Sequence, residues 1–356
     1  MYAVPDRSLN VGGFTPWPSI WSFVLWVSLP ALFFVALLSY GIVAIYPGDY
    51  YTAYRLRLAT APTRLTRADI DDAMSHLRAL RGLDKPWIVQ FWYWFEGVIV
   101  HGDFGYSFQE NAPVNAIIFG PQSGLAWTLV IMLSSVAWAW ILGVPAGMLS
   151  AVRYHKLTDY ALLTLSYGIA SSPPQLLGML FIFFIYKFVD PLIVAGGVWG
   201  LVGYQYWNEP ASLAKTLSTV WHLVPVWIIV GAPVFAAVVQ HLRVSLLETF
   251  SLPYLQTAYG KGLSHVTVVL RHALRNALNP LVSLSGYMIT LTITGSLLAA
   301  HFLGLPSFGQ TFIDALTRQD QPVVTAILLL YGILLVMGTF ISDMILLVLD
   351  PRIRYF

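Results

Sequence analysis

No cysteine occurs in the 356 residues, which excludes disulfide frameworks, thiolate metal centres and cysteine nucleophiles. Charge is nearly as scarce. Asp, Glu, Lys and Arg together make up 10% of the chain, against roughly 25% in soluble domains. A soluble fold of this length could not cover its surface with so few. The net charge of +2 is too small for the basic footprint of a nucleic-acid binder, so no nucleic-acid partner is expected. A Gly-x-x-x-x-Gly-Lys-Ser/Thr phosphate loop is also missing, so the chain is not expected to be an ATPase. No Ser/His/Asp or metal-protease pattern stands out. His241, His265 and His272 lack the i,i+4 spacing of helical metal ligands, and His101 and His301 stand singly. No metal, catalytic or cofactor-binding residue is therefore assigned.

What the chain has instead is apolar length. Hydrophobic residues reach 57% and mean hydropathy is +0.69. A membrane-spanning helix needs about 20 mainly apolar residues, and about six stretches qualify: 20–45, 125–150, 160–188, 224–247, 281–303 and 323–349. Pro30, Pro145, Pro173, Pro174 and Pro233 lie inside them and are expected to kink rather than end their helices, because neighbours in a bundle satisfy the freed carbonyls. The first stretch is too long for a signal-peptide core and has only Arg7 as a basic residue before it, so it reads as a retained span. Arg153 and Lys156 follow the second stretch. Arg243, Lys261, Arg271 and Arg275 lie between the fourth and fifth, and Arg352 and Arg354 follow the sixth. The opposite short loops hold only Lys187, Lys215 and Arg318. By the positive-inside rule both termini then face the cytoplasm. The chain divides into a cytoplasmic extension (1–19), a first span (20–45), an extracytoplasmic loop (46–123) and a core of five spans (124–356) with a cytoplasmic segment at about 248–280.

The long first loop carries order of its own. Thr66 can cap a helix in which Ile70, Ala73, Met74, Leu77 and Leu80 recur at helical spacing. Acids stand in its first turn, Arg78 and Arg81 in its last, and Gly82 stops it. The stretch from Pro86 to Val100 is apolar but short for a span, and its aromatic density suits the headgroup zone. It reads as an interfacial helix rather than a seventh span, which would invert every later loop and spoil the charge asymmetry.

The most informative segment runs from Ser251 to Pro280. Ser251 as cap and Pro253 in the first turn start a short helix. Gly260 and Gly262 break it, since glycine tolerates positive φ. Ser264 caps a second helix that runs until Pro280 approaches, and Arg271 and Arg275, four apart, share a face of it. The product is a helix, a glycine elbow and a helix between two spans, a rigid knob suited to docking a cytosolic partner. In isolation the same glycines could merely end a surface helix. The two arginines suit lipid phosphates as well as a protein partner. Asp343 is the one acid well inside a span. Such an acid is a functional candidate by default, but a polar contact to a neighbouring helix or reach to the interface is the preferred reading here.

The segment resembles the "EAA" loop of ABC importer permeases, in the form found in the dipeptide/oligopeptide/nickel family. Gln256-Thr257-Ala258 stands at the Glu-Ala-Ala position, Lys261-Gly262-Leu263-Ser264 matches the turn, and Leu270 to Leu278 matches the following helix. Further matches run in order along the chain. Pro47-Gly48-Asp49, Gly82-Leu83-Asp84-Lys85-Pro86 and Gly102-Asp103-Phe104-Gly105-Tyr106-Ser107 lie in the first loop, Pro306-Ser307-Phe308-Gly309 before the last span, and Asp350-Pro351-Arg352-Ile353-Arg354 at the end. Gln256 replaces an acid and Ser307 a glycine, Ala300 falls near a frequent Glu, and the basic pair that usually opens the first span is missing. The resemblance implies an all-α integral membrane protein of about six spans with the type I ABC importer permease fold, in a bacterial or archaeal cytoplasmic membrane. It also implies partners: a second homologous permease, two ATPases that bind ATP and Mg, an extracytoplasmic solute-binding protein, and membrane lipid. Gln256, Thr257, Ala258, Gly260, Lys261, Gly262, Leu263 and Ser264 would couple to an ATPase, with Arg271 and Arg275 supporting them. The expected cargo is peptides or peptide-like solutes, with oligosaccharides, opines or nickel as alternatives. A membrane enzyme would need converging polar residues at mid-depth, and a secondary transporter would need ion-coupling acids where only Asp343 stands.

Overall fold

A computed structural model describes residues 16–45, 72, 75, 85–107, 109–120, 124–188, 200–203, 206 and 208–349. The family-like stretches at 47–49 and 350–354 lie outside these residues. So does the loop helix expected after Thr66, apart from Asp72 and Ser75, which are both helical.

The described chain is helical, as its apolar runs require: in a bilayer each backbone polar group must find its partner within the segment. The elements are α1 (Pro16–Ile45), α2 (Trp87–Glu96), which continues as a π-helical turn through His101, α3 (Val114–Phe119), α4 (Gly124–Val152), α5 (Leu157–Ser171) and α6 (Pro174–Phe188). A single 38-residue rod follows, made of α7 (Leu213–Val226), a π-helical stretch Trp227–Gly231 and α8 (Ala232–Phe250). Then come α9 (Pro253–Gly260), α10 (His265–Thr267), a π-helical stretch Val268–Ala273, α11 (Leu274–Ser283), α12 (Ser285–Leu303), α13 (Phe308–Thr317) and α14 (Gln321–Leu349). By length and apolarity five helices can cross a membrane, and six if α5 and α6 count as one broken span.

That broken span departs from expectation. The 160–188 stretch is not a kinked rod: α5 and α6 meet at 112°. Two adjacent prolines explain it. Pro173 and Pro174 donate no backbone hydrogen bonds, and proline forces the residue before it out of the helical region. Ser172 accordingly lies at φ −94°, ψ 136°. Pro145, by contrast, sits inside an unbroken α4, and Pro233 lies inside the 38-residue rod, directly after its π-helical stretch, without breaking it.

The bundle closes around α4 and α8. A Cβ at Gly143 would lie 2.8 Å from Val238, and one at Gly147 3.2 Å from the Val239 carbonyl, so both glycines are required by close helix approach. At one end of α4, Gly124 presses on the Ser307 backbone and Thr128 Oγ1 accepts from Phe308 N at 2.9 Å. The Gly102–Ser107 turn docks at this end as well. Buried Ser107 donates to Asp320 Oδ2 at 2.5 Å, Gln109 N donates to the same oxygen at 3.1 Å, and Trp94 Nε1 donates to the Phe104 carbonyl at 2.9 Å. Helix α2 lies along α1 through Phe33, Tyr40, Phe91 and Phe95, with ring centroids 5.3–5.9 Å apart. Such aromatic pairs contribute about 0.5–1.5 kcal/mol each beyond their buried area. The other end of α4, about 43 Å away at 1.5 Å per residue, carries residues 153–156 and the 251–264 elbow.

Candidate functional site

The elbow is continuous with the core of the bundle. Leu255 and Ala258 of α9 are buried in the same apolar cluster as Val238 and Leu242 of α8 and Val268 beyond the elbow. Their three-residue spacing puts them on one face of α9. Gln256, Thr257, Tyr259 and Gly260 point the other way and are exposed, as are Lys261, Gly262, Leu263 and Ser264. Of the predicted coupling residues, Ala258 is thus an anchor and the other seven form a surface.

Two local readings are corrected. Ser251 does not cap α9. At φ −80°, ψ −9° it still belongs to the end of α8, and its Oγ donates to the Glu248 carbonyl at 2.7 Å. Leu252 occupies the cap position immediately before Pro253, without a side-chain cap. Gly260 is the last helical residue, not a break, and the reversal falls on Gly262 alone, at φ +78°. Around it Gly262 N donates to Tyr259 O at 2.9 Å and Leu263 N to Ala258 O at 3.4 Å. That pair of bonds is a Schellman stop, whose left-handed position favours glycine. Nothing lies within 4 Å of a Cβ built at Gly262. Within this chain the demand for glycine is therefore conformational.

Beyond the turn Ser264 caps the second helix as read, its Oγ accepting from Thr267 N at 3.3 Å. That helix does not stop at Pro280 but runs through it to Ser283. Arg271 and Arg275 are both exposed, the first within the π-helical stretch. Two side-chain bridges stiffen the elbow. Tyr259 OH and His265 Nδ1 lie 2.8 Å apart with their rings stacked at 14°, and Tyr254 OH donates to the His272 carbonyl at 3.3 Å. Asp343 is exposed on α14 and makes no hydrogen bond or ion pair among the described residues.

Sequence reasoning missed a second polar centre near the elbow. Asp159, in the first turn of α5, is fully buried. Its carboxylate accepts from Arg243 Nε at 2.7 Å and Nη2 at 2.9 Å, from Ser150 Oγ at 2.5 Å and from His155 N at 3.0 Å. The Arg243 guanidinium also lies 5.2 Å from the Tyr154 ring centroid. His155 takes φ +59°, and the hydrogen bond its backbone N–H donates to the carboxylate helps hold it there. The available signal was Arg243 itself: counted above with the charges between the fourth and fifth stretches, it in fact lies four residues inside the 224–247 stretch. A charge at that depth needs a partner, and Asp159 opens a helix at the same end.

A family model described as "Binding-protein-dependent transport system inner membrane component" matches residues 143–355. The glutathione transport system permease protein GsiC of Escherichia coli (strain K12) is 30% identical over 329 residues, 92% of this chain and 96% of that protein. GsiC of Shigella boydii serotype 4 (strain Sb227) gives the same values. Among solved structures, inward-facing MetNI, a methionine ABC transporter, is similar with a TM-score of 0.49 at 19% identity, covering 64% of this chain and 94% of that one. With 30% identity along nearly its whole length, the chain belongs to the binding-protein-dependent transport system inner membrane component family and is a multi-pass permease subunit of an ABC importer.

Proposed function

We propose that this permease imports peptides or peptide-like solutes and receives its driving motion at the 251–264 elbow. The supporting observation is the shared core: α9 buries Leu255 and Ala258 among bundle residues while offering Gln256, Thr257, Gly260 and Lys261 outward. A push on that surface is carried into packed α8 rather than lost in a loop, because packed interiors deform little. The occupant of the surface is an ATPase subunit that binds ATP and Mg. This chain binds neither and hydrolyses nothing. Two ATPases, a second homologous permease and an extracytoplasmic solute-binding protein complete the machine, and rigid-body rocking gives alternating access. Arg271 and Arg275, exposed beside the elbow, serve the ATPase contact or anionic lipid headgroups.

Orientation follows from charge. Arg153, Lys156, Lys261, Arg271 and Arg275 gather at the elbow end, which is placed in the cytoplasm together with both termini. A peptide cargo rests on the relatives, described as glutathione permeases. The test is reconstitution of the complete complex in proteoliposomes with labelled glutathione, a dipeptide mixture, an oligosaccharide and nickel as separate probes. ATP-dependent accumulation of a peptide probe is expected. Accumulation of the sugar or the metal alone would overturn the cargo assignment. ATP hydrolysis by the isolated chain, free of partner subunits, would overturn its non-catalytic role.

A further inference from the structure

The Asp159 centre joins three helices at the end of the bundle that carries the elbow. Ser150 lies in the last turn of α4, His155 in the α4–α5 link, Asp159 in the first turn of α5 and Arg243 in the elbow-side half of α8. Helix α8 passes into α9 through a two-residue turn held by Ser251 N to Glu248 O at 3.2 Å and Leu252 N to Thr249 O at 3.0 Å. The carboxylate receives four hydrogen bonds, two of them from one guanidinium in the bidentate geometry that fixes relative orientation. Once buried, such a pair is hard to open, because separation leaves both charges desolvated and uncompensated.

The backbone is irregular just where this unit ends. Helix α5 packs on α4 and α8, whereas α6, beyond the 112° break, packs on α7, the Trp227–Gly231 π-helical stretch and α12. A Cβ at Gly178 of α6 would lie 2.4 Å from Ile229 in that stretch. The Ser172–Pro173 break and the π-helical stretch therefore both separate the elbow half of the bundle from the rest. Proline and π-helical insertions are the usual causes of helix kinks.

We infer that Asp159 is a positioning residue for transport: its pair with Arg243 clamps the elbow-side ends of α4, α5 and α8, and with them α9, into one body that stays closed through the transport cycle. Bending is taken up at Ser172–Pro173 and Trp227–Gly231. The inference rests on the elbow being the site of ATPase contact.

Because the chain has no cysteine, two labels can be placed cleanly. Leu157 at the start of α5 and Val244 on α8 are both exposed, at 84% and 50%. Spin labels on Leu157→Cys and Val244→Cys are introduced into the reconstituted complex, whose partner subunits are made cysteine-free. Distances are measured without nucleotide and with ATP and vanadate. One unchanged, narrow distance in both states is expected. In the Asp159→Asn background the distance should broaden or shift between states, because one charge of the buried pair is left uncompensated, and peptide accumulated per ATP hydrolysed should fall. If Asp159→Asn does not assemble, Arg243→Lys, which keeps a charge beside Asp159 but not the two-point grip of the guanidinium, reports instead, with a distance that broadens between states and a lower yield per ATP expected. A distance that changes between states in the otherwise wild-type complex overturns the clamp, as does a substituted complex with wild-type distances and wild-type yield per ATP. A wild-type complex that moves no peptide counts against the functional reading, and the distance measurement still decides the clamp.

Discussion

At the scale of single residues, the elbow turns on two glycines with different demands. Gly262 sits at φ +78°, a region that costs a residue with a β-carbon about 1–2 kcal/mol. Gly260 lies in ordinary helix, where alanine is favoured by about 1 kcal/mol. Gly262→Ala should therefore reduce the ATPase that co-purifies with the permease by about 5–30-fold, the factor that 1–2 kcal/mol makes in a population. Gly260→Ala should reduce it little. Equal losses from both would show that the left-handed turn is not what matters. Ser264→Ala removes a cap that contributes about 1 kcal/mol and should fall between them in the same pull-down. The Ser264 cap and the Gly262 reversal were both legible from residue type and spacing. The Asp159–Arg243 pair was not, because its partners are 84 residues apart and only packing brings them together. The Tyr259–His265 bridge escaped for a related reason: it depends on the sharpness of a turn whose type was read only as a glycine break.

At the scale of elements, apolar length located five of the six runs as single helices, and the failure was Pro173–Pro174. A single proline in an apolar run is compatible with a kink, as at Pro145. Two in succession remove adjacent donors, and each resulting helix has 15 residues, short of the about 20 that cross a bilayer. Replacing both by alanine should let α5 and α6 approach one rod. Spin labels at Leu165→Cys and Phe184→Cys, both on exposed positions, should then move apart in the Pro173→Ala/Pro174→Ala variant. An unchanged distance would show that tertiary packing, not proline, sets the bend. At the opposite end of the bundle, Asp320 holds the Ser107 hydroxyl and the Gln109 amide. Asp320→Ala leaves both polar groups short of an acceptor, at about 1–3 kcal/mol for a buried group. Faster proteolysis within residues 102–115 of the assembled complex is the expected sign, and wild-type resistance would contradict it.

At the scale of the whole molecule, composition alone placed the chain in a membrane, and the ordered motifs placed it in its family. What sequence could not supply is how the elbow joins the bundle, since the burial of Leu255 and Ala258 against Val238 and Leu242 depends on three helices meeting. Topology is open to a direct check. Single cysteines at residues 75 and 108 should react with impermeant reagent from outside, and one at 264 only after permeabilisation. Labelling of 264 in intact spheroplasts would reverse the proposed orientation. The central claim, that the elbow links ATP hydrolysis to transport, is tested most directly by Gly262→Arg. The position faces open space within this chain, so the bundle should fold and reach the membrane. Peptide uptake and binding-protein-stimulated ATP hydrolysis are measured together in proteoliposomes of the complete complex. The account predicts lost ATPase docking, or hydrolysis that continues without uptake. Complexes that assemble, hydrolyse and transport like wild type would contradict it.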